Sequence, residues 1–96
     1  MTTSETIFQT LKNHLPELRE LGVKDLYVFG SVARGEPEPH DVDVLVDFDK
    51  TPSLVGFSAL QRKLQDFLNM PVDLVTRRAC PDLLYESILS ELRHVA

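Results

Sequence analysis

The chain has 96 residues, 10 Lys plus Arg against 15 Asp plus Glu, and a formal net charge of −5 at pH 7. This length predicts one compact domain over residues 1–96 with a modest core, and 43% hydrophobic with 26% charged residues excludes disorder, collagen and coiled coil. The acidic balance argues against a protein that coats nucleic acid, and the single cysteine, Cys80, allows no internal disulfide.

Thr3 or Ser4 is a candidate cap for a first helix with Ile7, Leu11 and Leu15 on one face. Its start lacks the basic and apolar regions of a signal peptide. No apolar run anywhere approaches the ~18 residues of a membrane span. A cytoplasmic protein with no membrane partner is therefore expected. Pro16 interrupts the helix, and Leu18 and Leu21 continue the apolar face to Gly22, a candidate C-cap. Leu26 to Phe29 reads as a short buried strand. Gly30-Ser31 then opens a helical segment over Val32–Arg34, with Ser31 as a natural N-cap, and Gly35 ends it. Glu36-Pro37-Glu38-Pro39 is a stiff loop.

Asp41 to Phe48 is the clearest strand. Val42, Val44, Val46 and Phe48 share one parity, and Asp41, Asp43, Leu45 and Asp47 the other, which predicts a sheet with one buried face. Ser53 caps a helix to Leu68, whose stripe of Phe57, Leu60, Leu64 and Phe67 reads as core. Val72 to Thr76 is a third strand. Cys80 reads as a helix-entry residue. Pro81 suits the first turn of a last helix, with Leu84, Ile88 and Leu92 (or Leu89) inward. The order α-β-α-β-α-β-α describes an α/β or α+β sandwich of few strands with helices packed on the sheet.

Asp is among the poorest strand formers, yet Asp41 and Asp43 stand at i and i+2. Their side chains leave one face of the sheet, roughly 7 Å apart at Cα. Two carboxylates aimed into one space repel each other unless a cation sits between them, and Mg²⁺ is commonly held by one or two carboxylates plus waters and substrate phosphates. Alone, such a pair is a common chance pattern, equally read as an acidic, solvent-facing strand. Gly30-Ser31 adds context: backbone N–H groups opening a helix donate to phosphate, and glycine allows close approach. Asp73, mid-strand between Val72 and Leu74, is costly there unless paired, metal-bound or at a solvated edge. Arg34 reads as a surface arginine balancing nearby acids, and His40 as a solvated loop residue. Asp47 lies further along the strand and faces away from the pair.

Phe29-Gly30-Ser31-Val32-Ala33-Arg34-Gly35, Asp41-Val42-Asp43-Val44-Leu45-Val46 and Val72-Asp73-Leu74-Val75, taken together, resemble the minimal nucleotidyltransferases of the DNA polymerase beta-like superfamily. The resemblance covers nearly the whole chain. It implies that superfamily's fold, a small mixed β-sheet with helices packed on it. The family spaces Gly-Ser and Asp-x-Asp by ten residues; here nine, Val32 to His40, intervene. By position, the resemblance implies Asp41 and Asp43 as paired Mg²⁺ ligands. It implies Asp73 as a third carboxylate, binding a second Mg²⁺ and helping to deprotonate the acceptor. Gly30 and Ser31 become contacts to the triphosphate of ATP.

The resemblance also implies a partner. Larger superfamily members carry substrate domains for which this chain has no room, so an acceptor delivered by another molecule is expected. Minimal nucleotidyltransferases typically act as antitoxins, here of type VII, that transfer AMP from ATP to a tyrosine of a HEPN-domain ribonuclease toxin. A hetero-oligomer with that toxin is one consequence. The alternative is a catalytically weak or inactive antitoxin that inhibits by complex formation only. A third reading, a small-molecule nucleotidyltransferase, is disfavoured by the lack of a substrate domain. The acidity is also local. Residues 36–49 hold Glu36, Glu38, Asp41, Asp43, Asp47 and Asp49 with no Lys or Arg, which leaves the rest of the chain at +1.

Overall fold

The structure is a computed structural model that describes residues 3–95. Helix α1 (Thr3–Asn13) gives way at His14 to α2 (Leu15–Glu20). Pro16 falls in the first turn of α2, where its missing N–H costs no helical bond. Gly22 closes α2 with φ +92, and its N–H donates to the Arg19 carbonyl at 3.0 Å. Thr3 and Ser4 lie inside α1 rather than capping it; the cap position falls outside the described residues.

Strand β1 (Val23–Phe29) is longer than the apolar run at its end. Its register against β2 shifts between Val23 and Asp25. That bulge returns Val23 to the face of Leu26 and Val28 and breaks the alternation a sequence reader would follow. Next come the single-turn helix α3 (Gly30–Ala33), strand β2 (Val42–Phe48), helix α4 (Leu54–Leu68) and strand β3 (Val72–Thr76). Helix α5 (Asp82–Ile88) and the two-residue strand β4 (Arg93–His94) finish the chain. Helix α4 is capped as expected: the Ser53 hydroxyl accepts from Gly56 N–H at 3.1 Å. Asn69, with φ 53, ends it in the left-handed conformation that asparagine tolerates.

The sheet order is β3-β2-β1-β4. Strands β1 and β2 are antiparallel, β2 and β3 parallel, and β4 pairs antiparallel with β1. The sheet is therefore mixed, with α1, α2, α3 and α4 packed on one face. The core there joins Leu26, Val28, Val42, Val44, Val46 and Leu74 to Ile7, Leu11, Leu18, Val32, Leu60 and Leu64. Phe57, Phe67 and Leu68 complete the α4 stripe from its margin.

Three details differ from the sequence expectation. First, the second face of the sheet is not simply solvated. Phe29 and Leu45 are buried there with Cys80 and Ile88, packed by Tyr27, Val75, Tyr85 and Leu92. Second, the last helix is short. Pro81 is its N-cap rather than a first-turn residue, Leu84 is exposed, and the inward side chains are Tyr85 and Ile88. Third, the chain continues into β4, which sequence reading missed; Val95 N–H donates to the Leu26 carbonyl at 2.8 Å and its side chain is buried.

Because the α4 stripe supplies Leu60 and Leu64 to the main core, its cap bears on the whole fold. Replacing Ser53 by alanine removes one acceptor for an end-group N–H, at an expected cost of about 1 kcal/mol in urea unfolding. Leu64→Ala leaves a cavity at a fully buried site and should cost about 2–5 kcal/mol in the same assay.

Candidate active site

The acidic residues singled out from sequence converge on one end of the sheet. Asp43 and Asp73 are direct partners in the parallel register of β2 and β3. Paired residues on neighbouring strands, about 4.8 Å apart, project to the same face. That register is pinned at its start: Val42 N–H donates to the Pro71 carbonyl at 3.0 Å. Helix α4 pins it again. Gln61 Nε2 donates to the Val72 carbonyl at 2.8 Å, and Val72 N–H donates to Gln65 Oε1 at 3.1 Å. Asp41 sits one residue before β2 rather than within it, and is exposed. Asp43 is half-buried and Asp73 exposed.

On the other side of Asp43 stands the turn between β1 and α3. Phe29 pairs with Asp43 in the antiparallel register, so the next residue, Gly30, lies against the Asp43 carboxylate. Gly30 has φ +72, a conformation that favours glycine. A Cβ there would overlap Asp43 Oδ2 and lie 3.2 Å from its Cγ. The shorter Gly-Ser to Asp-x-Asp loop therefore still brings Gly30 against the acidic pair. Ser31 lies in the first turn of α3 and is not its N-cap; that position falls to Phe29.

The charge is felt at Asp43. Burial pushes its carboxyl above the ordinary carboxylate range, with Asp41, Asp73 and Glu91 adding to the rise and Arg34 opposing it. Glu91 is a site residue that sequence reading missed. Its Oε2 accepts from Gly30 N–H at 3.1 Å, and its Oε1 accepts from Arg34 Nη1 at 3.2 Å. Arg34 also donates through Nη2 and Nε to Glu36 Oε2 at 2.7 and 3.0 Å, so it does balance nearby acids. Nothing local marks Glu91, because its partner Gly30 is 61 residues away.

Among the described residues, no three Asp, Glu, His or Cys side chains close around a point as a ready-made metal cage. Asp41, Asp43 and Asp73 are thus not a preformed three-ligand set; Mg²⁺ is an ion that commonly takes one or two carboxylates plus waters and substrate phosphates. The chain can thus offer side-by-side acids and leave the remaining coordination to water and ligand. A cavity of about 1040 Å³ lies elsewhere, at the far ends of β2 and β3, lined among others by Asp47, Lys50, Arg77 and Arg78. Asp47 is about 13 Å along β2 from Asp43, so this cavity is not where the acids meet.

Residues 11–95 match the nucleotidyltransferase domain family. The chain belongs to that family. It is a nucleotidyltransferase of the minimal kind, similar throughout its length to protein adenylyltransferase MntA of Thermococcus cleftensis. The two are 42% identical over 97 residues, covering 99% of this chain and 98% of the relative. Among solved structures, one provisionally assigned as a minimal nucleotidyltransferase superposes with a TM-score of 0.81 at 33% identity, covering 97% of this chain and 95% of that one. A toxin–antitoxin complex with AMP-PNP superposes with a TM-score of 0.74 at 25% identity, covering 88% of this chain and 72% of that one. The antitoxin fold also appears in a complex of an MNT antitoxin with a tri-AMPylated HEPN toxin of Shewanella oneidensis, at a TM-score of 0.70 and 24% identity, covering 93% and 71%.

Two consequences of the Gly30–Asp43 approach can be measured. Gly30→Ala combines an unfavourable left-handed backbone with a clash on the carboxylate, and should cost about 1–3 kcal/mol in denaturant unfolding. Asp43→Asn should act oppositely without divalent cations. The folded protein binds the Asp43 proton more tightly than the unfolded chain does, so its contribution to stability is full below the ordinary value of 3.8 and is lost as pH rises through the higher folded value. The asparagine variant should therefore melt above the native protein at pH 7. That gap should close in acid, as thermal scans at both pH values can check.

Proposed function

We propose that this nucleotidyltransferase is a protein adenylyltransferase antitoxin, cytoplasmic and Mg²⁺-dependent, which transfers AMP from ATP to a tyrosine of a partner HEPN-domain toxin. The observation that carries the reading is the side-by-side placement of Asp43 and Asp73 next to a glycine turn with no room for a Cβ. The full-length similarity to MntA supports protein as the acceptor class. The likeness to a toxin–antitoxin complex with AMP-PNP supports ATP as donor and a toxin as partner.

In this reading Asp41 and Asp43 would hold one Mg²⁺ and Asp73 would bind a second. Two such ions would supply charge neutralisation for an in-line displacement at phosphorus. Gly30 and Ser31 contact the triphosphate through a backbone N–H and a hydroxyl. The acceptor hydroxyl oxygen bonds to the α-phosphorus. The bond from that phosphorus to the α,β-bridging oxygen breaks, and pyrophosphate leaves with the electron pair. The hydroxyl proton passes to Asp73 and on to solvent. Transfer at phosphorus asks mainly for positioning and charge neutralisation, which is what three acids and a glycine turn can offer. No helix among the described residues is long and apolar enough to cross a membrane, and no stable nucleic-acid binding is part of the proposal.

The test is incubation with Mg²⁺, ATP and a candidate HEPN-domain toxin from the same organism, followed by intact-mass measurement. AMP additions on the partner are expected. Asp41→Ala or Asp43→Ala should lower the rate by about 10³-fold, the scale on which one electrostatic group at a reacting centre is felt. Unchanged transfer by the double variant would remove the catalytic assignment. Toxin neutralisation by that variant without any transfer would instead identify inhibition by complex formation. Transfer to a small hydroxylated acceptor in the absence of any protein would return the small-molecule reading.

A further inference from the structure

The Glu91 carboxylate occupies donors that an anionic ligand would also use. One oxygen accepts from Gly30 N–H at 3.1 Å and the other from Arg34 Nη1 at 3.2 Å, so the carboxylate spans the turn that opens α3. This is a long-range contact held from both sides. Glu91 N–H donates to the Ile88 carbonyl at 2.8 Å, which closes the turn after α5. Two residues later β4 pairs with Tyr27 and Val28 of β1. The placement is electrostatically awkward, since Glu91 adds a further negative charge beside Asp43, which already faces Asp41 and Asp73. A carboxylate is held among other carboxylates only where fixed donors repay it, and here those donors are the Gly30 N–H and the Arg34 guanidinium.

We propose that Glu91 is an internal stand-in for a nucleotide phosphate, which the triphosphate must displace from Gly30 and Arg34 in order to bind. This rests on the nucleotide-binding reading of Gly30 given above. A phosphate oxygen takes up the Gly30 N–H, and Arg34, still anchored to Glu36 by 2.7 and 3.0 Å bonds, turns Nη1 from the carboxylate to the ligand. Glu91 thus lowers nucleotide affinity by competing for two donors and by adding like charge. It also ties the turn between α5 and β4 to occupancy of the site, because the residue that must move is the one that turn carries. Arg34, a surface arginine in its resting pairing, becomes a phosphate contact only after the exchange.

The experiment is calorimetric titration of the full chain with AMP-PNP in the presence of Mg²⁺, for the native protein, Glu91→Gln and Glu91→Ala. Glu91→Gln keeps the size of the side chain and removes its charge. Both variants should bind more tightly, by about tenfold, the scale of one charge-assisted hydrogen bond released from competition. In the native protein, hydrogen exchange at the Glu91 amide should speed up on adding AMP-PNP, while the Gly30 amide stays protected as it passes from carboxylate to phosphate. Thermal scans of the nucleotide-free variants report whether they fold. Native binding that is lost in Asp43→Ala, together with unchanged or weaker affinity in a folded Glu91→Gln, would overturn the stand-in and leave the nucleotide site intact. Absence of binding in the native protein and in both Glu91 variants would overturn both. Binding by the Glu91 variants alone would be the strongest support.

Discussion

At Gly30 the chain leaves β1 with φ +72 and passes so close to the Asp43 carboxylate that an added methyl group would push the carboxylate aside. The approach is set by the antiparallel register that puts Phe29 opposite Asp43. The parallel register on the other side of β2 puts Asp73 opposite the same residue. Asp43 is therefore the hub: two strand pairings and one glycine turn meet at its carboxylate. A one-residue slip of β2 against either neighbour would send Asp43 to the helix-covered face and bring Val42 or Val44 into the acidic cluster. The valines of the main core thus fix the site indirectly. Val42, Val44 and Val46 are fully buried under the helices, and their burial holds Asp43 on the other side of the strand.

The cost of gathering acids is limited by where each one sits. Asp41 stands just before β2 in solvent, and Asp73, although inside β3, is exposed, so water screens both. Only Asp43 of the three is partly withdrawn from water, and burial pushes its carboxyl upward. On the proposed reading, a cation held by these three acids would offset their repulsion without any change in backbone register. The stiff segment Glu36-Pro37-Glu38-Pro39 adds two more acids, but Glu36 is paired with Arg34 at 2.7 Å.

Much of this was legible in the sequence, for physical reasons that differ along the chain. The β2 alternation is strict, so both its strand character and the face of Asp43 follow from parity alone. The Ser53 cap and the apolar stripe of α4 are local signals and appear as read. Strand β1 was truncated in the reading because the bulge between Val23 and Asp25 puts two polar residues, Lys24 and Asp25, where alternation should continue. Strand β4 was missed because its two residues, Arg93 and His94, are both exposed and carry no periodicity. Its stability is tertiary: the β1 edge supplies the partners, Arg93 lies over the Phe8 ring at 4.2 Å, and the His94 ring packs at a tilt against Tyr27, 4.8 Å between centroids. Without β4 the position of Glu91 cannot be deduced, and so the fourth carboxylate of the site could not be read from sequence.

The second face of the sheet decides how anything reaches these acids. Leu45 is fully buried beneath the α5 side, whereas Asp43, two residues earlier on the same face, is only half-buried and Asp41 is exposed. The cover supplied by Tyr85, Ile88 and Leu92 therefore ends between Leu45 and Asp43. What remains open is one end of one face, bordered by the Gly30 turn, β3 and the Glu91 turn. Among the described residues, the elements that bury Leu45 in the second core do not extend over the acids. The side of the site facing away from the sheet is left to a ligand and to whatever surface presents the acceptor. On the proposed reading, selectivity for the acceptor then resides in the partner's fit to this open end, while the chain itself supplies the acids, the glycine turn and the displaceable carboxylate of Glu91.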